Sequence, residues 1–235
     1  MAHIYEYIRT WGFEPLFFEE HYVRLDALSR RLFLAPIGIS PEALRQDIAK
    51  ALQQGGCSPR TANVVYVRCD NDGNVSVESV ELLYNKFSLR ALHPQGYICR
   101  ASGELLLENS SAKESLVELN RAIAQISDEG VAIWIDEQGE LLAIDGAPVV
   151  AVFEDEIRFS RMGDGVEFDI AYSVAADIKR TTIKGAIMAD ELRNAKELFC
   201  VDYRGVTALH SFDSHRYMDI IAEKIAARVA DVERQ

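Results

Sequence analysis

The stretch YEYIRTWGFEPLFFEEHYVRL, Tyr5 to Leu25, changes its hydrophobic period partway along, and that change sets the class of fold. From His3 to Trp11 the residues alternate and are rich in β-formers, which predicts a strand. Gly12 marks a turn, and Phe13 to Phe18 is expected to return as the hairpin partner. From Glu19 to Leu34 the apolar positions Tyr22, Val23, Leu25, Leu28 and Leu32 recur at helical spacing and stop before Pro36. Ser40-Pro41 then caps a second helix that runs to about Gln54, ahead of Gly55-Gly56. A hairpin followed by two helices opens an α+β domain.

Further along, Val64 to Cys69, Val75 to Tyr84 and Phe87 to Leu92 read as strands, with Asn71-Asp72-Gly73-Asn74 as a hairpin turn. This first domain is expected to span residues 1–105, and a strand-rich α/β domain residues 106–235. The second opens on SSAKESLVELN, Ser110 to Asn120, where Ser111 and Glu114 have capping-box spacing and Leu116, Leu119, Ile123 and Ile126 recur at helical spacing. Strands follow at 131–135, 140–145, 148–153, 156–160 and 198–202, with helices at 167–178, 189–195 and 214–229. On the last helix Tyr217, Ile220, Ile221, Ile225 and Val229 read as core or dimer packing.

The 235 residues are enough for one large domain or two modest ones. A net charge of -12, with basic residues scattered rather than striped, argues against a nucleic-acid partner. No apolar run approaches the roughly 20 residues of a membrane span, and the N-terminal stretch lacks the pattern of an export signal. A cytoplasmic protein is the expectation. Four cysteines without a CxxC pair and five histidines without ligand spacing indicate neither a disulfide framework nor a metal. There is no G-x-S-x-G elbow, P-loop or dinucleotide fingerprint.

Taken together, the strand bearing Glu6 and Arg9, the turn, the second strand and the helix with His21-Tyr22-Val23-Arg24-Leu25 resemble the start of the class IV aminotransferases. These are the fold-type IV pyridoxal phosphate enzymes, among them branched-chain and D-amino acid aminotransferases and aminodeoxychorismate lyase. The resemblance implies a two-domain fold-type IV architecture with a cleft between the domains, a homodimer, pyridoxal 5'-phosphate as cofactor, and an amino acid or related amine as substrate. The reaction would be transamination or an aminodeoxychorismate-type elimination. It implies that Arg24 reaches the cofactor phosphate, a contact suited to a guanidinium fork. Lys113 takes the place of the Schiff-base lysine, with Asn120 seven residues on. Gly165 and Val166, at a helix start, match the phosphate loop, and Arg204 lies in the second phosphate loop.

The sequence also departs from that family. Counted without gaps from Gly139, the acid that protonates the pyridine nitrogen falls on Ala143; a shift of two residues brings Asp145-Gly146 there instead, and both alignments stand open. Glu167 replaces a threonine at the helix start, and Asp202-Tyr203-Arg204-Gly205 replaces small hydroxyl residues. Carboxylates at those places repel a phosphate dianion. The rival expectation is therefore a divergent homologue that keeps the fold as a binding or scaffold protein and does not turn over.

Overall fold

The computed structural model describes residues 2–82, 86–90, 94–106, 108–127 and 130–234. It is a mixed helix and sheet chain, α+β as expected, in two compact units. The first unit takes residues 1–86 and 108–111, the second residues 87–107 and 112–235.

In the first unit, β1 (His3–Trp11), β2 (Glu14–Pro15), β3 (Ala62–Asp70) and β4 (Val75–Val80) form a four-stranded sheet in the order β2-β1-β3-β4. Helices α1 (Phe18–Phe33) and α2 (Pro41–Gln54) supply Leu25, Leu28, Leu44, Ile48 and Leu52 to a core shared with Ile4, Ile8, Val65 and Val67. The Ser40 hydroxyl accepts the amide of Ala43 at 3.2 Å, the cap read from Ser40-Pro41. The hairpin partner expected over Phe13 to Phe18 shrinks to Glu14–Pro15, because Phe17 turns left-handed at φ 48° and the helix starts at Phe18, whose ring is buried in the core.

The second unit begins with Phe87 and Leu89, of which Leu89 alone bridges in parallel to Val206 where a full strand was expected. The expected strand ends at Tyr84 and Leu92, and His93, lie outside the described residues, as do the side chains of Ile126 and Ser127. There follow β5 (Gln95–Arg100), α3 (Gly103–Leu106), α4 (Ser111–Ser127), β6 (Val131–Ile135), β7 (Leu141–Ile144), β8 (Val149–Val152), β9 (Glu156–Ser160), α5 (Val166–Ala175), β10 (Thr181–Gly185), β11 (Glu197–Asp202), β12 (Gly205–Ala208), β13 (Ser211–Phe212), β14 (His215–Arg216) and α6 (Ile220–Val232). A 3₁₀ turn, Ala189–Asn194, stands where the short helix was expected. The strands make two five-stranded sheets, ordered β10-β9-β8-β11-β12 and β14-β13-β5-β6-β7. One core unites Phe159, Phe168 and Phe199 with the inner faces of α5 and α6, and a second unites Ile133, Ile144, Val149 and Leu198 between the sheets.

The closing helix starts six residues later than its apolar pattern predicts. Glu197, buried on β11, accepts the Ile221 amide with both carboxylate oxygens at 2.9 Å and the Ala222 amide at 3.0 Å, so the orphan donors that define a helix start are met at Ile220. Residues ahead of them pair as β13 and β14 instead.

Candidate functional site

Lys113 lies in the first turn of α4 and is 8% exposed. The inner face of that helix differs from the expected one. Leu119 and Ile123 are 60% and 48% exposed, whereas Lys113, Val117 and Ala124 are buried and Asn120 is bonded to β5. The spacing 113, 117, 120, 124 is one helical stripe, and its polar members hid it from a hydrophobic count. Asn120 Oδ1 accepts the Tyr97 hydroxyl at 2.5 Å, and its amide reaches Cys99 Sγ at 3.6 Å.

Opposite Val117 stands the tip of the tight turn that joins β7 to β8, two strands of different sheets. Gly146 has φ 78°, and a Cβ there would come within 2.8 Å of Val117 Cγ2, so glycine is what lets the tip approach α4. Beside it, Asp145 is held by two arginines. Arg121, from α4, donates to its two carboxylate oxygens at 2.7 and 2.9 Å. Arg204, from the β11–β12 turn, donates to it at 2.6 Å and to Asp202 Oδ2 at 2.7 Å, while the Arg204 amide donates to Asp202 Oδ1 at 2.8 Å. Burial pushes the Asp145 carboxyl up, but Arg204 and Arg121 outweigh it and hold the group below the usual carboxylate range. Two guanidinium groups and two carboxylates thus form a chain of ion pairs with no net charge.

Ala143, the ungapped position for the ring acid, is 2% exposed and belongs to an apolar cluster with Trp134, Val117 and Leu142. Gly165 caps α5, and Val166 and Glu167, 4% and 7% exposed, form its first turn. The loop before them meets Pro148, just past the tip of the β7–β8 turn, where a Cβ on Gly163 would lie 3.1 Å from Pro148 Cβ. The second unit therefore gathers Asp145 and Arg204 into one ion-pair set on the flank of the Lys113 helix, with the Gly165–Val166 turn against the residues that follow that tip.

Arg24 belongs to the first unit. Its Nε lies 3.3 Å from Glu6 Oε1, which His21 Nδ1 also meets at 2.9 Å, and Asn109 donates to Glu6 Oε2 at 3.1 Å. Burial raises the Glu6 carboxyl, yet Arg24, His21 and Asn109 bring it below its ordinary value. Sequence reasoning did not include Arg121 or Glu6 among the site residues. Both sit at helix or strand positions that are ordinary in sequence, and only their partners, 24 and 18 residues away, make them notable.

Two of the places expected to hold the phosphate of pyridoxal phosphate are already occupied or carry a carboxylate. A dianion needs spare cations or free amides. In the β11–β12 turn the amide and guanidinium of Arg204 are already committed to Asp202 and Asp145. At the start of α5, Glu167 places a carboxylate in the first turn. The acid for the ring nitrogen is either a methyl, at Ala143, or a carboxylate bound by two arginines, at Asp145. The buried amine of Lys113 is compatible with carbonyl chemistry by itself. Among the described residues no group of three or more His, Cys, Asp or Glu side chains is arranged for a metal ion, and no helix is long and apolar enough to cross a membrane.

No protein-family model matches the sequence, and no curated protein matches it. Solved structures match over nearly the whole chain. A branched-chain aminotransferase from Thermoproteus uzoniensis, solved with norvaline, superposes with a TM-score of 0.81 at 14% identity, over 98% of this chain and 85% of that one. A Legionella pneumophila protein assigned as a 4-amino-4-deoxychorismate lyase gives 0.79 at 12% identity, over 98% and 91%. The pyridoxal-phosphate-bound form of a hypothetical aminotransferase from Mycobacterium tuberculosis gives 0.76 at 14% identity, over 98% and 88%. At such identities the likeness is one of architecture, and the architecture is fold-type IV, that of the class IV aminotransferases and aminodeoxychorismate lyase.

Proposed function

We propose that this chain is a divergent fold-type IV homologue that acts as a binding or scaffold protein and does not carry out phosphate-anchored pyridoxal chemistry. The observation that carries this reading is the charge-balanced chain of Arg121, Asp145, Arg204 and Asp202, in which each guanidinium already faces a carboxylate. Glu167 in the first turn of α5 points the same way.

A second reading is supported by a different observation. Lys113 is a buried amine at a helix start, in the position its resemblance to the family gives the nucleophile, and the solved structures of like fold include aminotransferases. Under that reading the chain is a pyridoxal-phosphate-dependent aminotransferase or aminodeoxychorismate-lyase-like enzyme acting on an amino acid or related amine. Arg24, Asp145, Gly165, Val166 and Arg204 would then be its cofactor contacts. A homodimer belongs to both readings, and sedimentation should then report about twice the 26.3 kDa chain mass.

One experiment separates them. The purified chain is incubated with millimolar pyridoxal phosphate, its absorption spectrum recorded, and the mixture reduced with borohydride before peptide mapping. The first reading expects no adduct at Lys113. A borohydride-fixed label on Lys113, abolished in Lys113→Ala, overturns it in favour of the enzyme.

A further inference from the structure

Not every buried arginine of the second unit has a counter-ion. Phe87 and Leu89 pack into the core beneath α5 and α6, so Ser88 and Arg90, the alternate residues of the same extended segment, face the other side of the sheet. The segment is fixed by its backbone, with the Val206 amide donating to Ser88 O at 3.0 Å and the Arg90 amide to Val206 O at 2.8 Å. Arg90 is 9% exposed, and Nη1 donates to the Thr207 hydroxyl at 2.9 Å. Its Nε is buried and meets no acceptor, and no carboxylate lies within ion-pair distance among the described residues. The Ser88 hydroxyl oxygen is likewise buried without a partner.

A guanidinium cannot shed its charge by losing a proton, and a buried, uncompensated cation is expensive. Among the described residues the neighbourhood supplies no anion. Cys200, opposite Thr207 on β11, has its thiol pushed up to about 12, chiefly by burial, so it stays neutral. Asp145 and Asp202 are taken by Arg204 and Arg121. What remains is one edge of the Arg90 fork, Nε with Nη2, whose two donors match two oxygens of an oxyanion. The Ser88 hydroxyl on the same face can donate to it as well, and the Thr207 hydroxyl, which accepts from Arg90, keeps its proton to give.

We propose that Arg90, Ser88 and Thr207 form a binding site for a small oxyanion, a phosphate or carboxylate group seated on the Nε edge of Arg90. The site stands on the packing of the second unit and does not depend on whether Lys113 takes a carbonyl compound.

The test is thermal unfolding of the whole chain in sodium phosphate or sodium acetate, each against sodium chloride at matched ionic strength. Phosphate or acetate should raise the midpoint by roughly 5 °C at about 100 times the dissociation constant, and the arm that shifts identifies the ligand as phosphate or carboxylate. Arg90→Met should remove the shift, and Ser88→Ala should weaken binding by about tenfold. Equal midpoints in all three salts, or a shift that survives in Arg90→Met, would overturn the site. Should Arg90→Met fail to fold, calorimetric titration of phosphate and acetate into the parent and Ser88→Ala decides: no binding, or binding unchanged by Ser88→Ala, is equally fatal. Borohydride labelling of Lys113 can succeed or fail without altering any of these outcomes.

Discussion

The two units each bury a carboxylate beside arginine, and they do it differently. In the first, Glu6 is shared by one arginine, a histidine ring and an amide. In the second, Asp145 is gripped by two arginines, one of which is shared with Asp202. The first arrangement is a single acid solvated by mixed donors; the second is a charge-balanced chain of ion pairs running Arg121, Asp145, Arg204, Asp202. A mixed shell can lose one donor and keep others of the same kind. The ion-pair chain cannot lose its shared member, Arg204, without leaving Asp202 unpaired among the four. The contrast shows that the arginines of the second centre are each already paired with a carboxylate.

The sharpest way to break this comparison is Arg204→Ala. It leaves Asp145 and Asp202, both largely buried, with Arg121 as the cation that remains among the four groups. Removing one partner of a buried ion pair costs about 3–5 kcal/mol, and urea unfolding should show that loss as a lower midpoint with an unchanged slope. A loss under about 1 kcal/mol would mean that the ion-pair chain is solvated in practice and that its charges remain available to a ligand.

How much of this could be read in the sequence depended on how local each signal was. The first strand, both early helices and the hairpin turn at 71–74 have their causes within a few residues, as when Asp70 Oδ1 accepts the amides of Asp72 and Asn74, each at 2.9 Å. The strand β5, which carries QGYICR, was not legible; it is held by parallel pairing to β6 and β13, whose residues lie far along the chain. The start of α6 was misplaced because its cap is Glu197, from another strand. At the candidate site, Lys113 could be singled out by resemblance, while the fate of Asp145 could not, since its partners are 24 and 59 residues away. The unpaired fork of Arg90 left no mark in the sequence at all, because what matters there is a missing neighbour.

A second, smaller effect sharpens the comparison through pH. Both Glu6 and Asp145 hold their carboxyls below the ordinary value of about 4, so the folded chain binds fewer protons than the unfolded one in that region. Their contribution is complete above the unfolded value and is lost as the pH falls through the lowered folded one. Glu6→Gln keeps the shape and removes the charge. It should cost about 1.5–3 kcal/mol at neutral pH, the range for hydrogen bonds to a charged group, and should flatten the acid limb of the stability profile below about pH 5. Denaturation midpoints from pH 3 to 7 check this. A limb as steep in Glu6→Gln as in the parent would take Glu6 out of the acid response and leave Asp145 as its source.

The smallest effect asks whether the two arginines on Asp145 are equivalent. Geometry alone would rank them together, since each donates to the carboxylate at 2.7 Å or less in its shortest bond. Exposure separates them: the Arg121 side chain is 44% exposed, that of Arg204 17%. An exposed guanidinium is rehydrated when its bond breaks and its attraction is screened by solvent, so Arg121→Ala should cost about 1 kcal/mol or less. That cost should shrink further in 1 M salt, where the Debye length falls to about 3 Å, whereas the cost of Arg204→Ala should change little. Salt-resolved unfolding of both variants tests the ranking. If Arg121→Ala proved as costly and as insensitive to salt as Arg204→Ala, the four groups would act as one buried unit that includes the α4 end of the ion-pair chain, and the helix bearing Lys113 would be anchored through Arg121 rather than through Val117 and the β7–β8 turn.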